Sequence, residues 1–277
     1  MNMTNDPDGS DDATELPAKQ RKSLPGFARS VAVLEVIAAR PSRIVEVTKE
    51  LDLPWATVHR TVKSLQKERF IDRNPETGRY EIGPRMWHIG SSYLANNRAL
   101  NVAISYLAQE RNIKHVDVQV VERIADYSVV THAEKRQTRP ISKAQYGFHI
   151  PLHAGSKGWV LLAHEDPAFI DAYLSQPLEK LTTATITDPS VLREKLAEVR
   201  KMGYAFTVGD VQPFTGSLAA PVFGSGSDVI ACVCFVFLGH IATNEGTIAD
   251  LKEKLLLMTH SISMELGWRP GQNQPSA

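Results

Sequence analysis

The chain has 277 residues, 43% of them hydrophobic and 22% charged, and its 31 Lys plus Arg balance 31 Asp plus Glu to a formal net charge of zero. That length has room for two domains with cores of their own, and the composition is that of a folded globular protein. A neutral balance excludes a protein that grips polyanions over its whole surface, and no apolar run approaches the ~18 residues of a membrane-spanning helix.

Residues 1–23 are rich in Asp, Asn and Ser and are expected to form a disordered tail. Residues 27–39, FARSVAVLEVIAA, read as a helix with Val31, Leu34 and Ile37 facing inward. Residues 43–69 then read as two helices with a tight break. Ile44, Val47 and Leu51 give the first an apolar stripe, and Asp52-Leu53-Pro54 ends it, because proline disfavours a helical residue before it and suits the first turn of a new helix. In the second helix Val58, Val62 and Leu65 lie on the buried side. Ala56, Arg60, Lys63 and Lys67 form the opposite row, flanked by Thr57, His59 and Ser64. Residues 54–69 carry a local net charge of +3 in a neutral chain. Small and hydrogen-bonding residues near a helix N-terminus, with cations further along, are what a helix needs to enter a major groove and grip phosphates. The ordinary alternative is a helical hairpin with a solvated charged face. Residues 70–82 favour the first reading: two short strands around a Pro/Gly turn make a wing, with Arg73 expected at its base and Arg79 at its tip, both within reach of phosphate.

Beyond Gly83-Pro84, residues 84–98 read as a linking helix with Met86, Ile89, Tyr93 and Leu94 in its stripe, and residues 100–111 as another helix. The period then changes. Val116, Val118 and Val120 alternate with polar residues, and 127–131 is a second β-like run. Residues 138–147 read as a loop or short strand. In 150–163, IPLHAGSKGWVLLA, a Gly/Ser turn opens an apolar helix. Helices follow at 166–174 and 190–202, a strand at 203–208, and strands at 217–223 and 229–238 around a Gly-Ser turn; a long amphipathic helix closes the chain at 247–266. The second half is therefore a sheet with helices on one face. Cys232 and Cys234, two apart on a strand, share a face and suit neither a disulfide nor a four-ligand zinc site, which fits a reducing cytoplasm and no metal.

Four segments in this order carry a resemblance: LPWATVHRTVKSLQKERFIDRNPETGRYEIGPR, PLHAGSKGWVLLA, TITDPSVLREKLAEVRKMGYA and LAAPV. Together they resemble the IclR family of bacterial transcriptional regulators over about residues 24–267. The resemblance implies an α+β chain: a winged helix-turn-helix DNA-binding domain at 24–83, a linker helix at 84–98, a GAF-like effector-binding domain at 99–267 and a disordered tail at 268–277. It also implies a homodimer, or a dimer of dimers, on double-stranded operator DNA, a small organic acid as effector, no cofactor and no catalytic residue.

By the same resemblance Trp55, Thr57, His59, Arg60 and Lys63 join Arg73 and Arg79 as DNA contacts, with Trp55 standing where a small or basic residue is common. Ile150, Ser156, Lys157, Trp159, Ser217, Cys234 and Val236 become the effector contacts, the backbone amides at Ser156-Lys157 holding a carboxylate. Physics agrees, since free N–H groups at a helix N-terminus attract anions. Trp159 in place of the usual lysine implies an apolar, aromatic effector, and GSKGW and FVFLGHIATNEG are similar to segments of regulators of aromatic-acid catabolism. The alternative from another class is a serine esterase or hydrolase, because Ala154-Gly-Ser156-Lys-Gly158 resembles a degenerate nucleophile elbow with Ser156 as nucleophile. No acid-then-histidine pair stands out downstream to complete it.

Overall fold

The structure is a computed structural model that describes residues 25–110, 113, 116–136 and 147–270. The expected tail at 1–23, residues 271–277 and the expected loop at 138–146 lie outside the described residues. The chain divides between Asn96 and Asn97 into two compact units.

The first unit begins with α1 (Gly26–Ala39), α2 (Ile44–Leu51) and α3 (Trp55–Lys67), then β1 (Ile71–Arg73), β2 (Tyr80–Ile82) and α4 (Pro84–Asn96). Its core joins Val33, Val36 and Ile37 of α1 to Val47 and Leu51 of α2, Val58, Val62 and Leu65 of α3, and Ile71 and Tyr80 of the strands. The inward stripe of α1 is thus 33/36/37 rather than 31/34/37. Both sets have helical spacing, and Val31 is left 36% exposed. The break between α2 and α3 is built by Asp52 in the left-handed region at φ 50°, a conformation Asp tolerates better than most residues, with Leu53 N–H donating to Thr48 O at 3.3 Å. The wing pairs Ile71 with Ile82 and Arg73 with Tyr80, and Ser42 bridges to Tyr80. Helix α4 buries none of its residues; Trp87, Ile89 and Tyr93 all stand exposed.

In the second unit α5 (Arg98–Gln109) precedes β3 (Asp117–Ile124), β4 (Tyr127–Lys135) and β5 (His149–Pro151). Then come α6 (Gly155–Ala163), α7 (Pro167–Leu174), α8 (Pro189–Met202), β6 (Ala205–Val208), β7 (Thr215–Phe223), β8 (Val229–Leu238) and α9 (Glu245–Glu265). Six strands form one antiparallel sheet in the order β5-β4-β3-β8-β7-β6. Helices cover both faces of it, not one as the sequence led us to expect. Helix α6, with α8 behind it, packs on the side that carries Val121, Ala219, Cys232, Cys234 and Val236. Helix α9 packs on β7 and β8 beside α5, and its Ser263 Oγ accepts the Phe223 N–H at 3.0 Å. Alternate strand residues point to opposite sides, so both sides of β7 and β8 are apolar because both are buried. Trp268, assigned by the sequence to a tail, stacks on Phe223 with ring centres 5.0 Å apart.

Candidate DNA-contact face and effector cavity

Helix α3 presents Ala56, Arg60, Lys63, Ser64 and Lys67 to solvent, as its periodicity dictates, while Val58, Thr61, Val62 and Leu65 are buried. Thr57 and His59 are half-buried at the edges of that row. Trp55, in the first turn, is 54% exposed and stacks on His59 one turn later, with ring centres 4.7 Å apart and planes at 17°. The head of the helix is therefore a flat aromatic plate rather than the small surface usual there. Below it the cations are open to a polyanion; Lys63 makes only a 3.5 Å contact with Gln66 Oε1.

The wing arginines differ from expectation. Arg73 lies at the tip end of β1, opposite Tyr80, not at the base, and its Nε donates to Gly78 O at 3.4 Å. Arg79 forks onto the Glu46 carboxylate at 2.8 and 2.9 Å and donates to Pro41 O at 2.8 Å. Glu46 also accepts the Arg43 N–H at 2.8 Å; that bond and the Arg79 guanidinium hold its carboxyl below the usual range. Arg79 is committed to locking the wing against the start of α2, because a bidentate guanidinium–carboxylate pair fixes both partners in one geometry. Its charge is already matched before any phosphate arrives.

In the second unit a cavity lies beside the start of α6. It is lined by Gln119 of β3, Phe148 and Ile150, Gly155 and Lys157 of α6, Val211 and Gln212, and four sheet residues: Thr215, Ser217, Cys234 and Val236. The space between these side chains totals about 380 Å³, part of it open to solvent. Of the seven effector contacts expected from the sequence, Ile150, Lys157, Ser217, Cys234 and Val236 line it. Ser156 stands behind the wall: its Oγ donates to Ser217 Oγ at 2.7 Å and lies 3.8 Å from Cys234 Sγ. Trp159 is buried in the core, its Nε1 donating to His153 O at 2.7 Å. It sits two positions past Lys157 on α6, about 200° around the helix, and so cannot share the wall Lys157 forms.

The turn that opens α6 is shaped by two glycines. Gly155 has φ 77°, and a side chain at Gly158 would sit 2.4 Å from the Leu152 carbonyl oxygen. His153 before it is structural: its N–H donates to Tyr173 Oη, its Nδ1 lies 2.9 Å from the same oxygen, and its Nε2 lies 2.7 Å from Glu179 O. Two amides of this turn are taken. Gly155 N–H donates to the Asp210 carboxylate, and Ser156 N–H donates to Thr207 Oγ1 at 3.2 Å. Asp210 is only 4% exposed, and burial pushes its carboxyl up. An internal carboxylate thus caps the first amide of α6, next to the Ser156-Lys157 pair expected to hold an effector, and of that pair the Ser156 N–H is taken by Thr207.

Lys157 is 5% exposed. Its Nζ donates to Gln119 Oε1 at 3.0 Å and lies 5.8 Å from the centre of the Phe148 ring, with no carboxylate in contact among the described residues. Burial pulls its ammonium below the usual lysine range, while Cys234 and Cys232 act in the opposite direction. Both cysteines are free and buried, with burial pushing their thiols up, which leaves them inert. Sequence reasoning missed Gln119, Phe148, Asp210, Val211, Gln212 and Thr215. The alternation of Val116, Val118 and Val120 with polar residues pointed Gln119 to solvent; the interior place of β3 in the sheet is what buries it.

Two family models match this chain: the IclR helix-turn-helix domain over residues 27–75 and the bacterial transcriptional regulator IclR C-terminal domain over 101–264. The chain belongs to the IclR family. Among curated relatives, the transcriptional repressor AllR of Klebsiella pneumoniae is 26% identical over 254 residues, spanning 90% of this chain and 93% of that protein. The fold matches the crystal structure of an IclR regulator from Silicibacter sp. TM1040, with a TM-score of 0.78 at 20% identity, covering 91% of this chain and 100% of that one. It also matches an IclR homologue from Microbacterium hydrocarbonoxydans complexed with 4-hydroxybenzoate, with a TM-score of 0.74 at 24% identity, covering 87% and 99%. An IclR-family chain is a DNA-binding transcriptional regulator with an effector-binding domain. The hydrolase alternative falls with that finding, since its relatives are named as repressors or regulators of transcription. Geometry agrees: the Ser156 hydroxyl is held by Ser217, not by an imidazole. No helix among the described residues is long and apolar enough to cross a membrane, and no group of three or more His, Cys, Asp or Glu there could hold a metal.

Proposed function

We propose that this IclR regulator acts in the cytoplasm on a catabolic operon and changes its hold on operator DNA when a small organic acid, aromatic in the favoured case, enters the cavity beside α6. The observation that carries the reading is the cavity itself: apolar along Phe148, Ile150, Val211 and Val236, polar at the end formed by Gln119 and Lys157. The homologue complexed with 4-hydroxybenzoate supports a ring of that kind. A ligand shifts an equilibrium only by its differential affinity for two states, so the acid must bind one DNA-binding state of the regulator better than the other.

On the DNA side, Arg60, Lys63 and Arg73 grip phosphate, Thr57 and His59 reach base edges or nearby phosphate, and Trp55 sets what the head of α3 can approach. The exposed Trp87, Ile89 and Tyr93 of α4 support pairing with a second copy, as a dimer or a dimer of dimers. A dimer places two such helices about one turn of duplex apart on a palindromic site. The test is operator binding by the full chain, with DNA selected from genomic fragments, with and without a panel of aromatic and short-chain acids. A shift in operator affinity with at least one acid is expected; no shift with any would overturn the effector half of the proposal.

A further inference from the structure

We infer that the side chain of Lys157, assisted by Gln119, is the anchor for the effector's carboxylate, so that the cavity selects monocarboxylic acids with an apolar body over their neutral analogues. The inference rests on the reading that this cavity takes the effector, and it adds a side-chain cation to what the backbone at the start of α6 can offer. Three observations carry it. First, the amides of Gly155 and Ser156 are already engaged by Asp210 and Thr207, so an arriving carboxylate finds neither free. Second, among the described residues Lys157 is the cation lining the cavity, is 5% exposed, and has its Nζ on one acceptor, Gln119 Oε1, where an ammonium can serve three. Third, Gln119 spends its carbonyl on that bond, which turns its amide N–H₂ into a second donor for the same ligand.

A buried ammonium without a counter-charge is costly, and a carboxylate delivered to it removes that cost. Around this polar end the described walls are Phe148, Ile150, Val211 and Val236, which suit an apolar body, with no second cation among the described lining residues. A dicarboxylate would have to bury its second charge against them.

The experiment uses the full chain and measures binding calorimetrically, with benzoate and 4-hydroxybenzoate as probes and benzamide and 4-hydroxybenzamide as their neutral counterparts. The native protein is expected to prefer each acid over its amide by at least tenfold. Lys157→Met, similar in length and suited to a buried wall, is expected to weaken the acids tenfold or more and erase that preference, while thermal unfolding shows it folded. Gln119→Leu is expected to weaken the acids less and keep the preference. Equal binding of acid and amide by the native protein overturns the inference without any variant. Undiminished acid binding by Lys157→Met also overturns it, and leaves the effector proposal standing. Native protein that binds none of the four probes, nor the short-chain acids, overturns both.

Discussion

Asp210 and Lys157 are the two residues whose roles are set by burial rather than by type. Asp210 tethers the start of α6 through Gly155 N–H. Asp210→Ala leaves that buried donor unpaired, and a loss of about 1–3 kcal/mol in denaturant unfolding is expected. Asp210→Asn keeps an acceptor and removes the charge that burial disfavours, so its stability is expected to stay within about 1 kcal/mol of native. Equal losses in both variants would show that charge, not the hydrogen bond, holds the turn. For Lys157 the same burial predicts a pH dependence. Its ammonium form attracts a carboxylate, and burial lowers the pH at which that form is lost. Acid affinity is therefore expected to fall as pH rises through that lowered pKa. Among the described residues the other titratable groups near the site are Cys232 and Cys234 on β8, pushed up and neutral; Asp210 in the 209–214 turn, pushed up; His149 on β5; and Asp117, two residues before Gln119 on β3. Protonation of Asp210 as pH falls removes a competing negative charge and acts in the same direction. Calorimetric titration across pH checks this; affinity that rises with pH would contradict it.

Among the elements, the wing and α6 make the sharpest demands. If Arg79 acts by pinning the wing to Glu46, Arg79→Ala and Glu46→Ala weaken operator binding to a similar degree and leave its salt dependence unchanged. The cost to unfolding stability is small, since the pair is more than a third exposed and screened by solvent. A phosphate contact behaves otherwise: Arg60→Ala lowers affinity and flattens the slope of log affinity against log salt by about 0.9. A slope change in Arg79→Ala but not in Glu46→Ala would return Arg79 to the phosphate contacts. In α6, Gly158→Ala places a methyl on the Leu152 carbonyl and is expected to cost roughly 1–3 kcal/mol, read by thermal unfolding. Elements of this kind were legible in the sequence where periodicity or punctuation was strong. The buried side of α3 follows from Val58, Val62 and Leu65, and β8 runs over 229–238 as its apolar stretch dictates. Contacts between elements were not legible. Nothing in the local pattern around Arg79 names Glu46, 33 residues earlier, as its partner, and Trp159 looks like a cavity residue until the direction it leaves the helix is known.

For the whole molecule, the sequence gives a neutral chain with one cationic stripe, and the structure adds a cavity with one buried cation in a separate compact unit. Helices α5 and α9 were read from the sequence, but their place on a second face of the sheet was not, because a strand buried on both sides shows a continuous apolar run with no alternation to reveal which side is which. The division of labour between the two units is the central claim: the first holds DNA, and the second decides how well. Fluorescence anisotropy of labelled operator DNA, titrated with the full chain at several salt concentrations with and without 4-hydroxybenzoate and short-chain monocarboxylates, tests it most directly. The account predicts a salt-dependent complex whose affinity moves severalfold with at least one acid. An operator affinity indifferent to every acid and to salt would contradict it.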